Sequence, residues 1–202
     1  MSDRAEFGRL LTRHFSAAGK VSDPQVDQLW RHYELLVRWN RVVNLTGIRT
    51  MEGAVVRNYC TSLFVALHLP SGPVSVLDVG SGAGFPGVPM AIYRPDCRLT
   101  LAESNARKAA FLREATRDIP NVRVVAKRAE TIEEAFDWVV SRAVGWKQLS
   151  KYAARLGRVV ALLLSTADGE TVCASKGWEW QRLLPLPWSH TGVLLIGVRC
   201  FT

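Results

Sequence analysis

The sequence predicts an α/β protein in which a helical N-terminal extension precedes a mostly parallel sheet that ends in an antiparallel hairpin. Residues 1–72 carry apolar side chains at helical spacing, whereas short apolar runs alternate with helical segments from residue 74 onward. The last two extended runs are separated by only five residues, too few for a crossover helix. We therefore expect a helical extension over residues 1–72 and a sheet domain over residues 73–202.

Turn-forming residues divide the N-terminal extension into two predicted helices. Asp23 is the expected cap of a helix whose first position is Pro24, and residues 44–47 interrupt its pattern. A second helix is predicted from about Glu52 to Leu69, before the Pro-Ser-Gly-Pro linker at residues 70–73. The extension therefore contributes two predicted helices before the sheet begins.

The sheet domain contains five apolar runs of strand length. These predicted strands are Val74–Val79, Arg98–Glu103, Val122–Ala126, Asp137–Ser141 and Arg158–Leu164. A helix with Ser104 as its N-cap follows the second strand. Two further runs, Trp178–Leu186 and Gly192–Phe201, are expected to pair antiparallel because their connection is short.

The loop after the first predicted strand is rich in glycine. The run VLDVGSGAGFPG, residues 76–87, places four glycines within eight residues and is followed by an apolar helical segment. Glycine allows tight turns and lets a ligand approach the main chain, and the next helix offers unpaired N–H groups. The run therefore predicts a nucleotide-like cofactor at the end of the first strand, with Asp78 ordering the loop.

Two cofactors are compatible with the glycine spacing. Residues 82–87 satisfy the G-x-G-x-x-G fingerprint of dinucleotide domains. Read from Gly80, the same run is G-x-G-x-G after an Asp-Val strand end, which suits S-adenosylmethionine (SAM). The C-terminal antiparallel hairpin is typical of SAM-dependent methyltransferases, so the sequence favours SAM. An NAD-dependent oxidoreductase is the alternative, although no catalytic Tyr-Lys or His-acid pair is evident.

Further cofactor contacts are expected where the second and third strands end. Glu103 lies about twenty residues after the glycine loop, where a carboxylate accepts hydrogen bonds from ribose hydroxyls. Residues 128–130 follow the third strand and are expected to flank the adenine ring. Glu130 either binds the adenine amino group or begins a short helix over residues 131–135.

The segment after the fourth strand, residues 141–143, is expected to face the methyl acceptor. It lacks the Asn/Asp-Pro-Pro-aromatic turn used for exocyclic amines, and no cysteine nucleophile for cytosine lies nearby. Guanine N7 requires neither, because its lone pair is already nucleophilic and needs only alignment. Arg142 is therefore the expected catalytic residue, bonding either the guanine edge or the cofactor carboxylate.

Composition and charge narrow the class of protein. The 202 residues carry a net charge of +8, and eight basic residues face three acidic ones between Arg98 and Arg128. This excess favours a nucleic-acid partner, with Lys108 and Arg128 as expected substrate-binding residues.

No apolar run approaches the ~20 residues of a membrane span, and no signal peptide is evident, so we expect a cytoplasmic protein. The four cysteines have no metal-ligand spacing, so no metal is expected.

Four segments together resemble a known family. They are Trp39–Thr46 (WNRVVNLT), Leu77–Gly87, Lys108–Leu112 and Val140–Ala143. These segments are similar to those of the bacterial small-subunit ribosomal RNA guanine-N7 methyltransferases, the RsmG or GidB family. The resemblance covers roughly residues 30–165 and implies a class I methyltransferase core, which is Rossmann-like with a mostly parallel seven-stranded sheet. It also implies SAM as cofactor and small-subunit rRNA or the small ribosomal subunit as partner, and we expect a monomer.

The resemblance assigns roles to residues already singled out. It implies that Gly80 and Phe85 contact SAM, that Ala129 and Glu130 flank adenine, and that Arg142 completes the site. The expected cofactor-binding residues are then Gly80, Gly82, Gly84, Phe85, Glu103, Ala129, Glu130 and Arg142.

Three segments depart from the family pattern. Arg-His-x-x-Asp-Ser is replaced here by Arg57–Ser62, which has Asn58 and Thr61 instead of His and Asp. Residues 162–164 read Leu-Leu-Leu, with Leu163 at the centre, where the family has Leu-Lys-Gly, and residues 190–192 lack an expected Arg. A non-catalytic relative that binds SAM or RNA as an assembly factor is therefore the alternative.

Overall fold

The structure is a computed structural model that describes residues 3–142, 144–181 and 183–200. Its α-helices are α1 Asp3–Phe15, α2 Asp23–Trp39, α3 Met51–Ala54, α4 Thr61–Leu67, α5 Gly87–Tyr93, α6 Ala106–Ala115, α7 Trp146–Leu156 and α8 Thr166–Cys173. Its strands are β1 Ser75–Val79, β2 Arg98–Ala102, β3 Val122–Val125, β4 Phe136–Ser141, β5 Gly157–Ser165, β6 Trp178–Trp180, β7 Leu184–Pro185 and β8 Gly192–Arg199. A π-helical turn, Val55–Cys60, joins α3 to α4, so the predicted second helix is continuous.

The sheet has the predicted mixed topology. Its strand order is β3-β2-β1-β4-β5-β8-β6, and β7 also pairs with β8. Strands β1 to β5 are parallel, whereas β8 runs antiparallel to β5, β6 and β7. The predicted strand Trp178–Leu186 is divided into β6 and β7 because the register against β8 shifts by one residue between them. The predicted strand end at Phe201 lies outside the described residues.

Two helix starts differ from the prediction by one residue. The N-cap of α6 is Asn105 rather than Ser104, because its side chain accepts hydrogen bonds from two main-chain amides of the first turn, at 3.0 and 3.1 Å. Helix α2 begins at Asp23 with Ser22 as N-cap, and the Gln25 side chain accepts a 2.9 Å hydrogen bond from the Ser22 amide. Both helices lie where they were expected.

The apolar core runs from the extension into the sheet domain. Tyr59 is fully buried between Phe7 of α1 and Phe85 of the glycine loop, with edge-on ring contacts at 5.1 Å on both sides. The apolar core therefore extends across residue 72, where the sequence predicts a domain boundary. The division into two domains stays a prediction. Among the described residues, no helix has the length and apolar character needed to cross a bilayer.

Candidate cofactor and acceptor site

Three glycines of the loop after β1 have left-handed backbone conformations, and their surroundings differ. Their φ angles are +74° at Gly80, +55° at Gly82 and +86° at Gly84. A Cβ on Gly82 would meet only the Gly80 carbonyl oxygen, at an ordinary contact distance of 3.8 Å, and Gly82 lines a cavity described below. A Cβ on Gly84 would lie only 2.6 Å from a methyl group of Val88. Gly82 therefore keeps a ligand space open, whereas Gly84 lets the loop pack against α5.

Asp78, at the end of β1, orders the glycine loop through hydrogen bonds to its main chain, as predicted. Its side chain is fully buried, and Oδ2 accepts a 3.0 Å hydrogen bond from the Gly87 amide. The Ser81 hydroxyl donates to the Asp78 main-chain carbonyl at 3.0 Å. Desolvation by burial raises the pKa of the Asp78 carboxyl to about 7, and the nearby Glu103 carboxylate adds to the rise. Oδ1 has no hydrogen-bond partner among the described residues.

His32 ties helix α2 to the same loop. Its Nε2 lies 3.1 Å from the Ala83 carbonyl oxygen, and its Nδ1 lies 2.8 Å from the Tyr59 hydroxyl. Because a carbonyl oxygen only accepts, the hydrogen-bond network assigns the proton to Nε2, and Nδ1 accepts from Tyr59. Burial lowers the pKa of His32 to about 4, so the ring is neutral. No local pattern in the sequence links His32 to a loop 51 residues away.

A cavity of about 500 Å³, here called the glycine-loop cavity, brings several predicted residues together. Its lining includes Gly80, Gly82, Phe85, Glu103, Lys108 and Arg142. The Glu103 carboxylate accepts one amide hydrogen bond on each oxygen, from Gly82 at 3.0 Å and from Asn105 at 2.8 Å. Each oxygen keeps a free lone pair, so the carboxylate retains capacity for two hydroxyl donors. Lys108 lies in this cavity although it was predicted to bind RNA.

A smaller cavity of about 90 Å³ adjoins the first and shares Gly80 and Glu103 with it. Arg128, Ala129 and Glu130 line it, as expected for the residues after the third strand. Ala129–Thr131 forms a 3₁₀ turn, so the alternative helix over residues 131–135 is wrong. The Arg128 guanidinium lies 3.7 Å from the Glu130 carboxylate. Gly84 is not among the described residues that line either cavity.

Arg142 reaches into the glycine-loop cavity although the residue as a whole is exposed. Its Nη1 donates a 2.7 Å hydrogen bond to Oδ1 of Asn58, which is buried in the π-helical turn. Two effects lower the pKa of Arg142: desolvation by burial is the larger, and repulsion by the nearby Arg57 cation is the smaller. Asn58, one of the departures from the family pattern, therefore orients the predicted catalytic residue.

Asn40 positions another wall of the glycine-loop cavity. Its Oδ1 accepts hydrogen bonds from the amides of Leu45 and Thr46, and its Nδ2 donates to the Thr46 carbonyl, all at 2.9 Å. These bonds fold the chain after α2 back on itself, so that Leu45 and Thr46 line the cavity. The WNRVVNLT segment therefore has a structural reason for its first asparagine, Asn40, which composition alone does not reveal.

A third cavity, of about 940 Å³, lies beside the glycine-loop cavity. We call it the tryptophan cavity because Trp146 and Trp188 line it. It shares Arg57 and Arg142 with the glycine-loop cavity. The remaining departures, namely Thr61, Leu163 and residues 190–192, all line it.

The donor set suits an organic cofactor more than a metal ion. The glycine loop leaves open space at the Gly82 Cβ position, and Glu103 and Arg142 offer an acceptor and a donor to the same cavity. In the part of the chain that the structure describes, no group of three or more His, Cys, Asp or Glu side chains is arranged to hold a metal. The cavities therefore fit a ligand with hydroxyl, amine and carboxylate groups, such as SAM.

Comparison with known proteins adds to this geometry. The family model described as "rRNA small subunit methyltransferase G" (GidB) matches residues 25–180. The chain is 38% identical over 172 residues to ribosomal RNA small subunit methyltransferase G of Chromobacterium violaceum, covering 83% of this chain and 78% of that protein. The protein of the same name from Dichelobacter nodosus is 39% identical over 172 residues, covering 82% and 81%.

The fold also resembles solved methyltransferase structures. Magnesium protoporphyrin IX methyltransferase from Synechocystis PCC 6803, solved with bound SAM, matches with a TM-score of 0.64 at 14% identity. The match covers 90% of this chain and 99% of that one, and at this identity it concerns the fold alone. Together with the match over residues 25–180, the sequence relatives establish that this chain belongs to the GidB family.

Proposed function

We propose that the protein is a SAM-dependent methyltransferase that modifies N7 of a guanine in small-subunit ribosomal RNA. The observation that carries this proposal is the junction at Arg142, where the glycine-loop cavity meets the tryptophan cavity. A cofactor in the first cavity and an acceptor in the second would be adjacent, as a direct transfer between them requires. Relatives with the name ribosomal RNA small subunit methyltransferase G support the substrate class.

The residues present fit SAM group by group. Glu103 would accept hydrogen bonds from the ribose hydroxyls, and Ala129 and Glu130 would flank the adenine in the small cavity. Gly80 and Gly82 would let the amino-acid portion approach the main chain of the loop. Gly84 is retained in this proposal as a loop-shaping residue rather than a contact.

The chemistry requires alignment more than proton transfer. When bound, SAM would supply an electrophilic methyl group to the guanine N7 lone pair, with S-adenosylhomocysteine as the leaving group. N7 carries no proton in neutral guanine, so this chain needs no general base. Arg142, held by Asn58 at 2.7 Å, would donate hydrogen bonds at the boundary between the two cavities. Arg57 and Lys108 would add positive charge for an RNA phosphate or the cofactor carboxylate.

The test is transfer of a labelled methyl group from SAM to small ribosomal subunits isolated from cells that lack the guanine-N7 modification. Deproteinised small-subunit RNA is assayed alongside, because free RNA and assembled subunits are both candidate acceptors. We expect label recovered as 7-methylguanine. If SAM binds but neither acceptor is labelled, the altered positions Asn58, Thr61 and Leu163 have ended or redirected catalysis, and the proposal fails.

The proposal also includes a monomeric enzyme in the cytoplasm, where small ribosomal subunits are made. Among the described residues, only Val37 and Val42 are large apolar residues that remain exposed, which offers little surface for a stable dimer. Light scattering coupled to gel filtration would test this, and a mass twice that of the chain would contradict it.

A further inference from the structure

The tryptophan cavity has the size and position of a second ligand site. Its volume of about 940 Å³ lies in the range of pockets that hold small molecules, roughly 300–1,000 Å³. Its walls come from the end of β5, the start of α7, helix α8 and the loop between β7 and β8. Because Arg57 and Arg142 line both cavities, a ligand here lies beside whatever the glycine loop holds.

One wall is an aromatic ring in a fixed orientation. The Trp188 indole Nε1 donates a 3.0 Å hydrogen bond to Oγ1 of Thr61, and the ring meets Phe64 edge-on at 5.8 Å. Trp188 is half-buried, so part of its ring stays available to the cavity. A flat indole surface of this kind stacks on nucleobases in single-stranded nucleic acids. Thr61, a departure from the family pattern, thus holds a stacking surface.

The polar groups of the cavity favour one base. Asp168, in the first turn of α8, accepts a 2.6 Å hydrogen bond from the Ser165 hydroxyl and keeps further acceptor capacity. The Watson–Crick edge of guanine presents two adjacent donors, which pair with a carboxylate, whereas adenine presents an acceptor at N1. Arginine suits the O6 acceptor of guanine, and a hydrogen bond to O6 leaves the N7 lone pair free for the methyl group. Arg142 lines both the glycine-loop cavity and the tryptophan cavity, whereas Asp168 lines only the tryptophan cavity.

We propose that the tryptophan cavity receives an unstacked guanine base, with Trp188 as its stacking surface and Asp168 as the residue that selects guanine over adenine. This inference rests on the proposed function, and it adds the stacking surface and the residue that selects the base. Extrusion of a base into a pocket is how enzymes reach atoms that are otherwise buried in a stack.

A binding experiment tests the site without requiring methyl transfer. The indole N–H resonance of Trp188 is identified by its absence in the Trp188→Phe variant, and GMP or AMP is added to the protein saturated with S-adenosylhomocysteine. We expect GMP to shift this resonance and AMP to bind at least tenfold more weakly. No shift of the Trp188 resonance with GMP would overturn the cavity as the base site. Equal binding of AMP would overturn the role of Asp168.

A pair of matched variants on helix α8 tests the role of Asp168. Asp168→Asn should lower GMP affinity about tenfold, whereas Glu170→Gln, on the same helix but outside the described lining of the cavity, should leave it unchanged. An equal loss in both variants would contradict selection by Asp168.

The role of Trp188 is tested in the transfer reaction. Trp188→Leu should reduce kcat/KM for small subunits roughly 5- to 100-fold through lost stacking, at unchanged affinity for S-adenosylhomocysteine. Trp188→Phe keeps an aromatic face and should stay within about threefold of the wild type. If Phe loses as much as Leu, the hydrogen bond to Thr61 matters rather than stacking, and the inference fails. A protein that binds GMP as described but transfers no methyl group would refute the proposed function alone.

Discussion

At the scale of single residues, the glycine loop divides its glycines between two tasks. Gly82 borders open space that a ligand would fill, whereas Gly84 allows close packing on α5. The sequence pattern does not distinguish Gly82 from Gly84, because G-x-G spacing shows only that both positions lack a side chain. It does not show which atoms surround each Cβ position.

Gly82 permits a matched test of this distinction. Gly177 also has a left-handed conformation and open space around its Cβ position, but it lies in the turn before β6. An alanine costs about 1–2 kcal/mol of backbone strain at either position. We expect Gly82→Ala to weaken S-adenosylhomocysteine binding more than tenfold and Gly177→Ala to leave it unchanged, measured by calorimetry. Equal affinities in the two variants would contradict a ligand at Gly82.

The raised pKa of Asp78 predicts how the free energy of unfolding depends on pH. Its folded-state pKa of about 7 lies above the ordinary value of 3.8, so the folded state retains a proton that the unfolded chain loses. This group therefore lowers stability as pH rises from about 4 to 7, by up to about 1.4 kcal/mol per pH unit. We expect the unfolding free energy of Asp78→Asn, relative to wild type, to increase over that interval in urea titrations. A pH-independent difference would contradict the buried, protonated carboxyl.

At the scale of elements, helix α2 acts as a support for the cofactor loop. His32 bonds to the Ala83 carbonyl, and Tyr59, from the π-helical turn, completes the arrangement. A helix that precedes the sheet by many residues thus fixes the conformation of the loop after β1.

His32 provides the prediction at this scale. His32→Leu leaves the Tyr59 hydroxyl and the Ala83 carbonyl unpaired, at a cost of about 1–3 kcal/mol each, and should weaken S-adenosylhomocysteine binding. His32→Gln offers both a donor and an acceptor and should restore most of the affinity. An unaffected His32→Leu variant would show that the loop holds its shape without α2.

The same residue titrates in the sense opposite to Asp78. The pKa of His32 falls from 6.5 to about 4 on folding, so its contribution to stability is present above about pH 6.5 and is lost as pH falls towards 4. The unfolding free energy of His32→Gln relative to wild type should therefore rise as pH falls across that interval. Measured together, the two variants give slopes of opposite sign.

The sequence predicts elements that depend on local patterns and misses contacts that join distant segments. The strand positions, the glycine loop and the antiparallel pairing of β8 follow from short-range periodicity and loop length. The sequence places the N-cap of α6 one residue early because Ser104 and Asn105 are both good caps, and only the geometry selects between them. The bonds of Arg142 to Asn58 and of Trp188 to Thr61 span 84 and 127 residues, beyond any local pattern.

At the scale of the whole molecule, the helical extension and the sheet domain share one core. Tyr59 lies between Phe7 and Phe85, so either part alone would expose large aromatic surfaces. We expect a fragment of residues 73–202 to lack a fixed tertiary structure and to bind no S-adenosylhomocysteine, as measured by near-ultraviolet circular dichroism and calorimetry. A folded, binding-competent fragment would instead support an independent domain beginning at residue 73.

The position of β8 has a consequence for biosynthesis. This strand is the last one along the described chain, yet it lies between β5 and β6, and most of its residues are buried. Until β8 emerges from the ribosome, the apolar edge of β5 has no partner on that side, and an unpaired edge favours aggregation. A chain whose translation stops before Gly192 should therefore be recognised and degraded. The sheet is therefore complete only in chains that extend through β8.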